Sequence, residues 1–298
     1  MSSVPRRRAT AFGLIAIVLW SALVGLIRLV SDSFGPTLGL ALIYTLATAI
    51  LWVTRRPRDI RTMPRRYLVV GGILFVSYEI AFGLAIGLAR DAEQALEVSI
   101  VNYLWPTLMV LLLPLLERGL RPRWYIVPAV LLATLGIAWV VGGDAGLDPA
   151  RMAANVASNP LPYALALGGA LGWAVYSTIT PGMSGGRDAI TVFFTAVTVA
   201  LWVMHLVAGR PVPGSLSVID VVPLLGAAAM SGAGYAFWNV GILHGNRTLI
   251  ASASYATPVL SSAIGTVLLG AALTTSFWQG VALVTAGSLL GWRATRAG

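Results

Sequence analysis

The chain has 298 residues, of which 57% are hydrophobic and only 10% are charged, and its mean hydropathy is +0.83. Soluble domains carry about 25% charged residues, so this composition excludes an ordinary soluble enzyme and indicates an integral membrane protein. The lack of cysteine excludes disulfides, thiolate metal sites and cysteine nucleophiles. All 20 basic residues are arginine, which excludes a retinal Schiff base and a phosphate-binding lysine. The net charge of +9 comes with arginines beside apolar segments, a pattern typical of membrane orientation rather than nucleic-acid binding.

Long charge-poor blocks follow one another along the whole chain. A helix that crosses a bilayer needs about 20 apolar residues. The blocks are residues 9–27, 33–54, 67–89, 98–116, 124–143, 155–184, 189–209, 221–246 and 248–292. The last block is too long for one crossing, so it must fold back, and residues 271–276 are the predicted turn. The sequence therefore predicts an all-α integral membrane protein with ten transmembrane helices, numbered here as spans 1 to 10.

The arginines are distributed unevenly between the two ends of the predicted spans. If the N-terminus lies in the cytoplasm, sixteen of the 20 arginines fall on the cytoplasmic side. Positive charge is enriched in the cytoplasmic loops of membrane proteins. We therefore predict a multi-pass protein of a bacterial-type inner (plasma) membrane, with both termini cytoplasmic.

The two halves of the chain resemble each other. Matching features recur in order at offsets between 151 and 155 residues. They are Trp20 and Trp173, Phe82 and Phe237, the stretches from Tyr103 to Pro106 and from Tyr255 to Pro258, and Gly136 and Gly287. We predict a first repeat in residues 1–145 (spans 1 to 5) and a second in residues 146–298 (spans 6 to 10), joined by a loop at residues 142–159. Because five is odd, the second repeat enters the membrane from the opposite side, an inverted architecture typical of transporters.

Each half also has a short hairpin that leads into a helix with a central proline. The two segments are AFGLAIGLARDAEQALEVSIVNYLWPTLMVLLLPLL and AFWNVGILHGNRTLIASASYATPVLSSAIGTVLLG. They resemble the EamA repeat of the drug/metabolite transporter superfamily, and the resemblance covers nearly the whole chain. The stretch SYEIAFGLAIGLARDAEQALEVSIVNYLWP is similar, more narrowly, to the bacterial aromatic amino acid exporters of that family. This resemblance implies export of phenylalanine, tyrosine, tryptophan and similar molecules.

The candidate substrate-binding residues are polar and aromatic side chains within the predicted spans. Lipid cannot satisfy polar groups, so an acid such as Glu79 inside a span is a functional candidate, for a substrate ammonium group or a coupling proton. The alternative is a neutral or hydrogen-bonded structural carboxyl. Mid-span rings suit an amphipathic aromatic solute, although they can also simply fill a core. The candidates are Trp20, Tyr78, Glu79, Phe82, Asn102, Tyr103, Trp105, Trp173, Tyr176, Tyr235, Trp238, Asn239, Ser252 and Tyr255.

Two prolines are predicted to kink spans 4 and 9. Pro106 and Pro258 each leave the carbonyl four residues earlier, at Asn102 and Ser254, without its helical partner. A carbonyl freed in this way can accept a hydrogen bond from an ammonium group if it faces a cavity. A kink that serves only packing is the alternative.

The sequence thus favours a secondary transporter that exports amphipathic metabolites, above all aromatic amino acids, by alternating access. Alternatives on the same scaffold are export of other amino acids, nucleosides or drug-like cations. A lipid-modifying membrane enzyme is a further alternative, but it would need a clustered acid, histidine or metal site. We predict no catalytic residue, metal or cofactor. The predicted partners are a small-molecule substrate and the lipid bilayer, without nucleic acid, and the oligomeric state stays open.

Overall fold

The computed structural model describes residues 5–57, 60–105, 107–108, 111–112, 124–142, 149–209 and 217–295, and within these ranges its regular structure is helical. The π-helical turn Tyr67–Gly71 leads directly into the third helix. The helices are α1 Arg6–Phe34, α2 Pro36–Thr54, α3 Gly72–Gly87, α4 Ala92–Asn102, α5 Ile126–Gly142, α6 Pro149–Ser158, α7 Pro160–Met183, α8 Ile190–Ala208, α9 Val218–His244, α10 Arg247–Ser254, α11 Thr257–Leu269 and α12 Thr275–Thr295.

Apolar helices dominate the described part of the chain. Five helical segments within it are long and apolar enough to cross a membrane. They are Arg6–Phe34, Pro36–Thr54, Tyr67–Gly87, Ile190–Ala208 and Val218–Trp238. The segments Ile126–Val140 and Thr257–Leu269 are apolar but shorter. The protein is therefore a multi-pass helical membrane protein.

The positions of the turns and breaks between helices confirm one sequence-based prediction and differ from it at two other places. The predicted turn at residues 271–276 is confirmed, because α11 ends at Leu269 and α12 begins at Thr275. The predicted loop at residues 142–159 instead contains α6, a helix with a proline at its first position, where no backbone donor is needed, and five alanine or valine residues. Spans 4 and 9 are each interrupted, after Asn102 and after Ser254.

One compact unit consists of Met1–Ile60 and Ala189–Gly270. In it α1 packs against α9 and α11, and α2 packs against α8 and α9. Glycines allow α1 and α9 to approach closely, since a Cβ atom placed on Gly241 would lie 2.7 Å from the Cα atom of Gly13. This unit joins spans 1 and 2 of the first predicted repeat to spans 7, 8 and 9 of the second.

Hydrogen-bonded threonine and tryptophan side chains hold α2 against α8, and we call this set the threonine–tryptophan ladder. Its bonds are Thr48 Oγ1 to Thr198 Oγ1 at 2.9 Å, Trp52 Nε1 to Thr195 Oγ1 at 3.0 Å and Trp202 Nε1 to Thr45 Oγ1 at 2.9 Å. Each α2 residue of the ladder recurs as the same residue type 150 positions later in α8. The helices are antiparallel, and a half turn about an axis at the Thr48–Thr198 pair exchanges the two tryptophan bonds.

The other compact unit consists of Arg61–Asp188 and Ala271–Gly298. In it α3 packs against α4 and α7, and α5 packs against α12. A Cβ atom placed on Gly136 of α5 would lie 2.7 Å from the backbone of both Gly280 and Val284, and one placed on Gly287 of α12 would lie 2.6 Å from the nitrogen of Ala133. These contacts are also antiparallel and reciprocal, because Gly287 and Val284 follow Gly136 and Ala133 by 151 residues.

We expect Gly136→Ala to lower the melting temperature of the protein. Its methyl group meets backbone atoms of α12, and overpacking costs about 1–3 kcal/mol, more than the gain of at most about 1 kcal/mol in helix propensity. Gly168→Ala is the matched control, because a Cβ atom there meets no described atom within 4 Å. Thermal unfolding of both variants in one detergent checks this, and equal melting temperatures would contradict the close packing of α5 on α12.

Candidate functional site

The aromatic candidates of spans 3, 4 and 6 form one cluster. Trp173 of α7 stacks on Tyr78 of α3, with ring centroids 4.6 Å apart, and on Tyr176 of its own helix at 5.1 Å. Phe75 meets Trp173 and Tyr176 edge-on, Phe82 stacks on Tyr78, and Trp105 meets Trp173 edge-on at 6.5 Å. We call these six rings the α3–α7 aromatic cluster. It forms because residues spaced by three or four positions share one helix face, as the rings of α3 do.

A buried acid lies within this cluster. Glu79 is only 7% exposed. Its carboxyl group interacts electrostatically with the hydroxyl groups of Tyr78 and Tyr176, and Tyr176 also shares a hydrogen bond with Tyr67. An acid close to aromatic rings is suited to an organic cation, which both the acid and a ring face attract.

The end of α4 brings an amide to the same place. Asn102 is the last residue of α4 and is 1% exposed, and its side chain hydrogen-bonds the hydroxyl of Tyr78. Its Oδ1 atom has no hydrogen-bond partner among the described residues. The adjacent Tyr103 is buried and interacts electrostatically with Tyr78. An open acceptor at the end of a broken helix is the kind of group that binds a polar solute inside a membrane protein.

The other unit has a smaller aromatic group around Trp20. Its ring lies 4.9 Å from that of Tyr235 and 5.0 Å from that of Trp238, both on α9. The ring passes directly over Gly234, where a Cβ atom would lie 2.6 Å from Trp20 Nε1. That nitrogen is buried and has no hydrogen-bond acceptor among the described residues.

The break between α10 and α11 differs from the sequence-based expectation. The chain turns at Tyr255 and Ala256, ahead of Pro258, which becomes the second residue of α11. The Ser254 carbonyl, expected to be free, accepts a hydrogen bond of 2.6 Å from the hydroxyl of Thr257. The chain therefore supplies its own donor at this break. Tyr255 is buried at the turn.

Three predicted positions lie outside the residues or side chains that the structure describes. They are Pro106, Asn239 and Ser252. The other candidates fall into the two groups above or, for Tyr255, at the second break. The structure thus gathers Tyr78, Glu79, Phe82, Asn102, Tyr103, Trp105, Trp173 and Tyr176 in one unit, and Trp20, Tyr235 and Trp238 in the other.

Comparison with known proteins points to one family. The profile of the EamA-like transporter family matches residues 160–292. The "Aromatic amino acid exporter YddG" of Salmonella typhimurium (strain 14028s / SGSC 2262) is 48% identical, over 97% of this chain and 98% of that protein. The proteins of the same name from Escherichia coli (strain K12) and Ancylobacter novellus are 48% and 30% identical, over 98% and 86% of this chain and 99% and 87% of those proteins. The chain belongs to the EamA-like transporter family.

A solved structure extends the comparison to the fold of this EamA family member. A protein known by its crystal structure shares 25% sequence identity with it and superposes with a TM-score of 0.66. The alignment covers 98% of each chain. The helical arrangement is therefore shared along nearly the whole length.

Sequence reasoning missed one half-buried acid, Glu97. The sequence places it just before span 4, yet its carboxylate accepts a hydrogen bond of 2.5 Å from the hydroxyl of Tyr163 and one of 3.5 Å from the amide of Asn155. Arg90, the nearest described guanidinium, donates instead to Asp91 and Ser158. The available signal was the three-residue spacing from the buried Gln94, which places both side chains on one face of α4. The partners, 58 and 66 residues away, give no local signal.

We expect Tyr163→Phe to destabilise the protein by about 1–3 kcal/mol, because it removes the donor closest to the half-buried carboxyl group of Glu97. Tyr125→Phe is the control, since its hydroxyl donates to the Arg293 carbonyl at an exposed position. Thermal unfolding in detergent compares the two. A melting temperature of Tyr163→Phe no lower than that of the control would show that the bond to Glu97 contributes nothing to stability.

Proposed function

We propose that this protein is a secondary transporter that exports aromatic amino acids by alternating access. The observation that carries the proposal is the buried carboxyl group of Glu79 within the α3–α7 aromatic cluster. Relatives that are 48% identical over nearly their full length bear the name aromatic amino acid exporter. The name and the chemistry of the cluster agree on the class of solute.

The cluster matches the parts of an aromatic amino acid. An aromatic side chain gains about 0.5–1.5 kcal/mol from each well-placed ring contact, and Trp173, Tyr78 and Tyr176 offer such faces. The ammonium group is attracted by the carboxylate of Glu79 and by the same ring faces. The open Oδ1 atom of Asn102 can accept one ammonium hydrogen.

We further propose ten spans, arranged as inverted repeats in residues 1–145 and 146–298, with both termini in the cytoplasm. The support is the antiparallel, reciprocal pairing of α2 with α8 and of α5 with α12. Spans related by an axis along the membrane normal would run in the same direction, whereas an axis in the membrane plane makes them antiparallel. Trp20 and Trp173 add a second correspondence, because each packs from the first span of its repeat onto the third span of the other.

Inverted repeats provide the route to alternating access. Two halves of the same fold can exchange their conformations, which opens a midplane site to one side of the membrane and then to the other. The breaks after Asn102 and Ser254 lie in equivalent spans and supply places where such a change can occur. The energy comes from the gradient of the substrate or of protons.

Competition for flux in proteoliposomes tests the substrate class. We expect the export of labelled phenylalanine to be inhibited by phenylalanine and tryptophan, but not by threonine or lysine, because only the former offer a ring to the cluster. Uridine and tetraphenylphosphonium represent nucleosides and drug-like cations. Inhibition by either of these without inhibition by tryptophan would replace the aromatic amino acid with that class.

We expect Glu79→Gln to abolish the pH dependence of phenylalanine flux, because the amide cannot bind a proton and no longer attracts an ammonium group as a charge. Glu93→Gln, at an exposed position of α4, is the control. Flux is measured across a series of external pH values. If the Glu79→Gln protein keeps the wild-type rate and pH profile, Glu79 has no role in transport.

A further inference from the structure

An apolar groove of about 460 Å³ lies beside the end of α2. Its walls are Trp52 and Ile60 on one side and the face of α8 from Val192 to Ala200 on the other. Trp52 is 43% exposed and Val199 is 58% exposed. Because α2 and α8 are both apolar enough to span a membrane, these exposed side chains face lipid, and whatever fills the groove is itself apolar.

The wall that Trp52 forms is fixed in place. Its indole nitrogen donates to Thr195 Oγ1 at 3.0 Å, and the Thr195 hydroxyl donates in turn to the Thr191 carbonyl at 2.8 Å. The only polar atom of the ring is thereby used within the protein. The ring therefore presents an apolar face to the groove in a fixed orientation. Binding of an occupant does not have to restrict the motion of this side chain, which lowers the entropy cost of binding.

The chain segment that connects two lining residues of the groove carries a net positive charge. The chain between the lining residues Trp52 and Ile60 carries Arg55 and Arg56. Arg55 is anchored, because its carbonyl accepts the Thr191 hydroxyl at 2.9 Å and its guanidinium donates to the Ala236 carbonyl at 2.6 Å. Arg56 follows directly, is exposed, and forms no ion pair with a described residue.

At the opposite end of the α2–α8 pair, the positions equivalent to these two arginines hold other residues. The positions 150 residues after Arg55 and Arg56 are His205 and Leu206. His205 is buried and hydrogen-bonds Thr37 Oγ1, and Leu206 is 71% exposed. The ladder is shared by both ends, but the two arginines beside Trp52 have no counterpart at the equivalent positions.

We propose that this groove binds an anionic phospholipid, with an acyl chain along Trp52 and Val199 and the phosphate on Arg56. A tryptophan beside arginines is characteristic of the membrane interface, where headgroups lie. Arginine pairs well with phosphate oxygens, and juxtamembrane basic residues select anionic lipids. A zwitterionic lipid satisfies the apolar wall equally well but carries no net charge for Arg56 to attract, so charge preference identifies the occupant.

The test uses quenching of Trp52 fluorescence by lipids with brominated acyl chains. The full-length protein is reconstituted in phosphatidylcholine vesicles that contain a small fraction of brominated phosphatidylglycerol or, separately, of brominated phosphatidylcholine. Subtracting the quenching measured for Trp52→Phe isolates the signal of Trp52. We expect phosphatidylglycerol to quench at about fivefold lower concentration than phosphatidylcholine, the preference expected from one arginine at the surface.

Two variants separate the charge from the groove. Arg56→Gln is expected to remove the preference for phosphatidylglycerol, whereas Arg7→Gln, an exposed arginine of α1, retains it. Ala196→Phe fills the groove from a lipid-facing position and is expected to weaken quenching by both lipids. Equal quenching by both lipids in the wild type, or an unchanged preference in Arg56→Gln, overturns the proposal. Loss of a cross-linkable dimer in Ala196→Phe, with lipid quenching unchanged, identifies a second copy as the occupant and also overturns it.

Discussion

Lipid offers no hydrogen-bond partner to a polar group, and this constraint decides where the polar side chains of this chain lie. Many hydroxyl groups return to the carbonyl four residues earlier, as Thr45, Thr178 and Thr285 do. The indole nitrogens of Trp52 and Trp202 reach threonines on a neighbouring helix. The threonine hydroxyl groups are thus satisfied within their own helix, and the two indole nitrogens are satisfied by bonds that hold neighbouring helices together.

Two of the exceptions to that pattern lie among the candidate residues. The Oδ1 atom of Asn102 and the Nε1 atom of Trp20 are buried, and neither has a partner among the described residues. Leaving such groups unpaired costs about 1–3 kcal/mol each, so binding of a group that pairs with them is favoured. An ammonium group is the kind of donor that the Oδ1 atom of Asn102 lacks. Trp20 and Trp52 are both tryptophans of apolar helices, but they differ in this respect. The indole nitrogen of Trp52 donates to Thr195, whereas that of Trp20 has no acceptor among the described residues.

The sequence predicts local features well and contacts between helices poorly. The turn after α11 and the common face of Tyr78, Glu79 and Phe82 follow from spacing along one stretch of chain. The hydrogen bond that Thr257 donates to the Ser254 carbonyl is also local. It was not predicted, because the argument from Pro258 considered only the missing backbone donor and no side-chain donor. The hydrogen bond between Tyr163 and the half-buried Glu97 could not be predicted, because Tyr163 lies on a different helix and no periodicity identifies which helices pack together.

Duplication of a fold does not require duplication of its chemistry. When the repeats are aligned on Phe82 and Phe237, Glu79 of α3 corresponds to Gly234 of α9. In one unit this position holds a buried acid beside aromatic rings, and in the other it holds the one residue small enough for the ring of Trp20 to lie against the backbone. The ladder has kept the same residues in both halves, because each of its bonds is matched across the symmetry axis and a change on one side alone breaks the match. The glycine contacts have kept Gly136 and Gly287, although their partners Val284 and Ala133 differ. The α3 and α9 positions face different neighbours, so they were free to diverge.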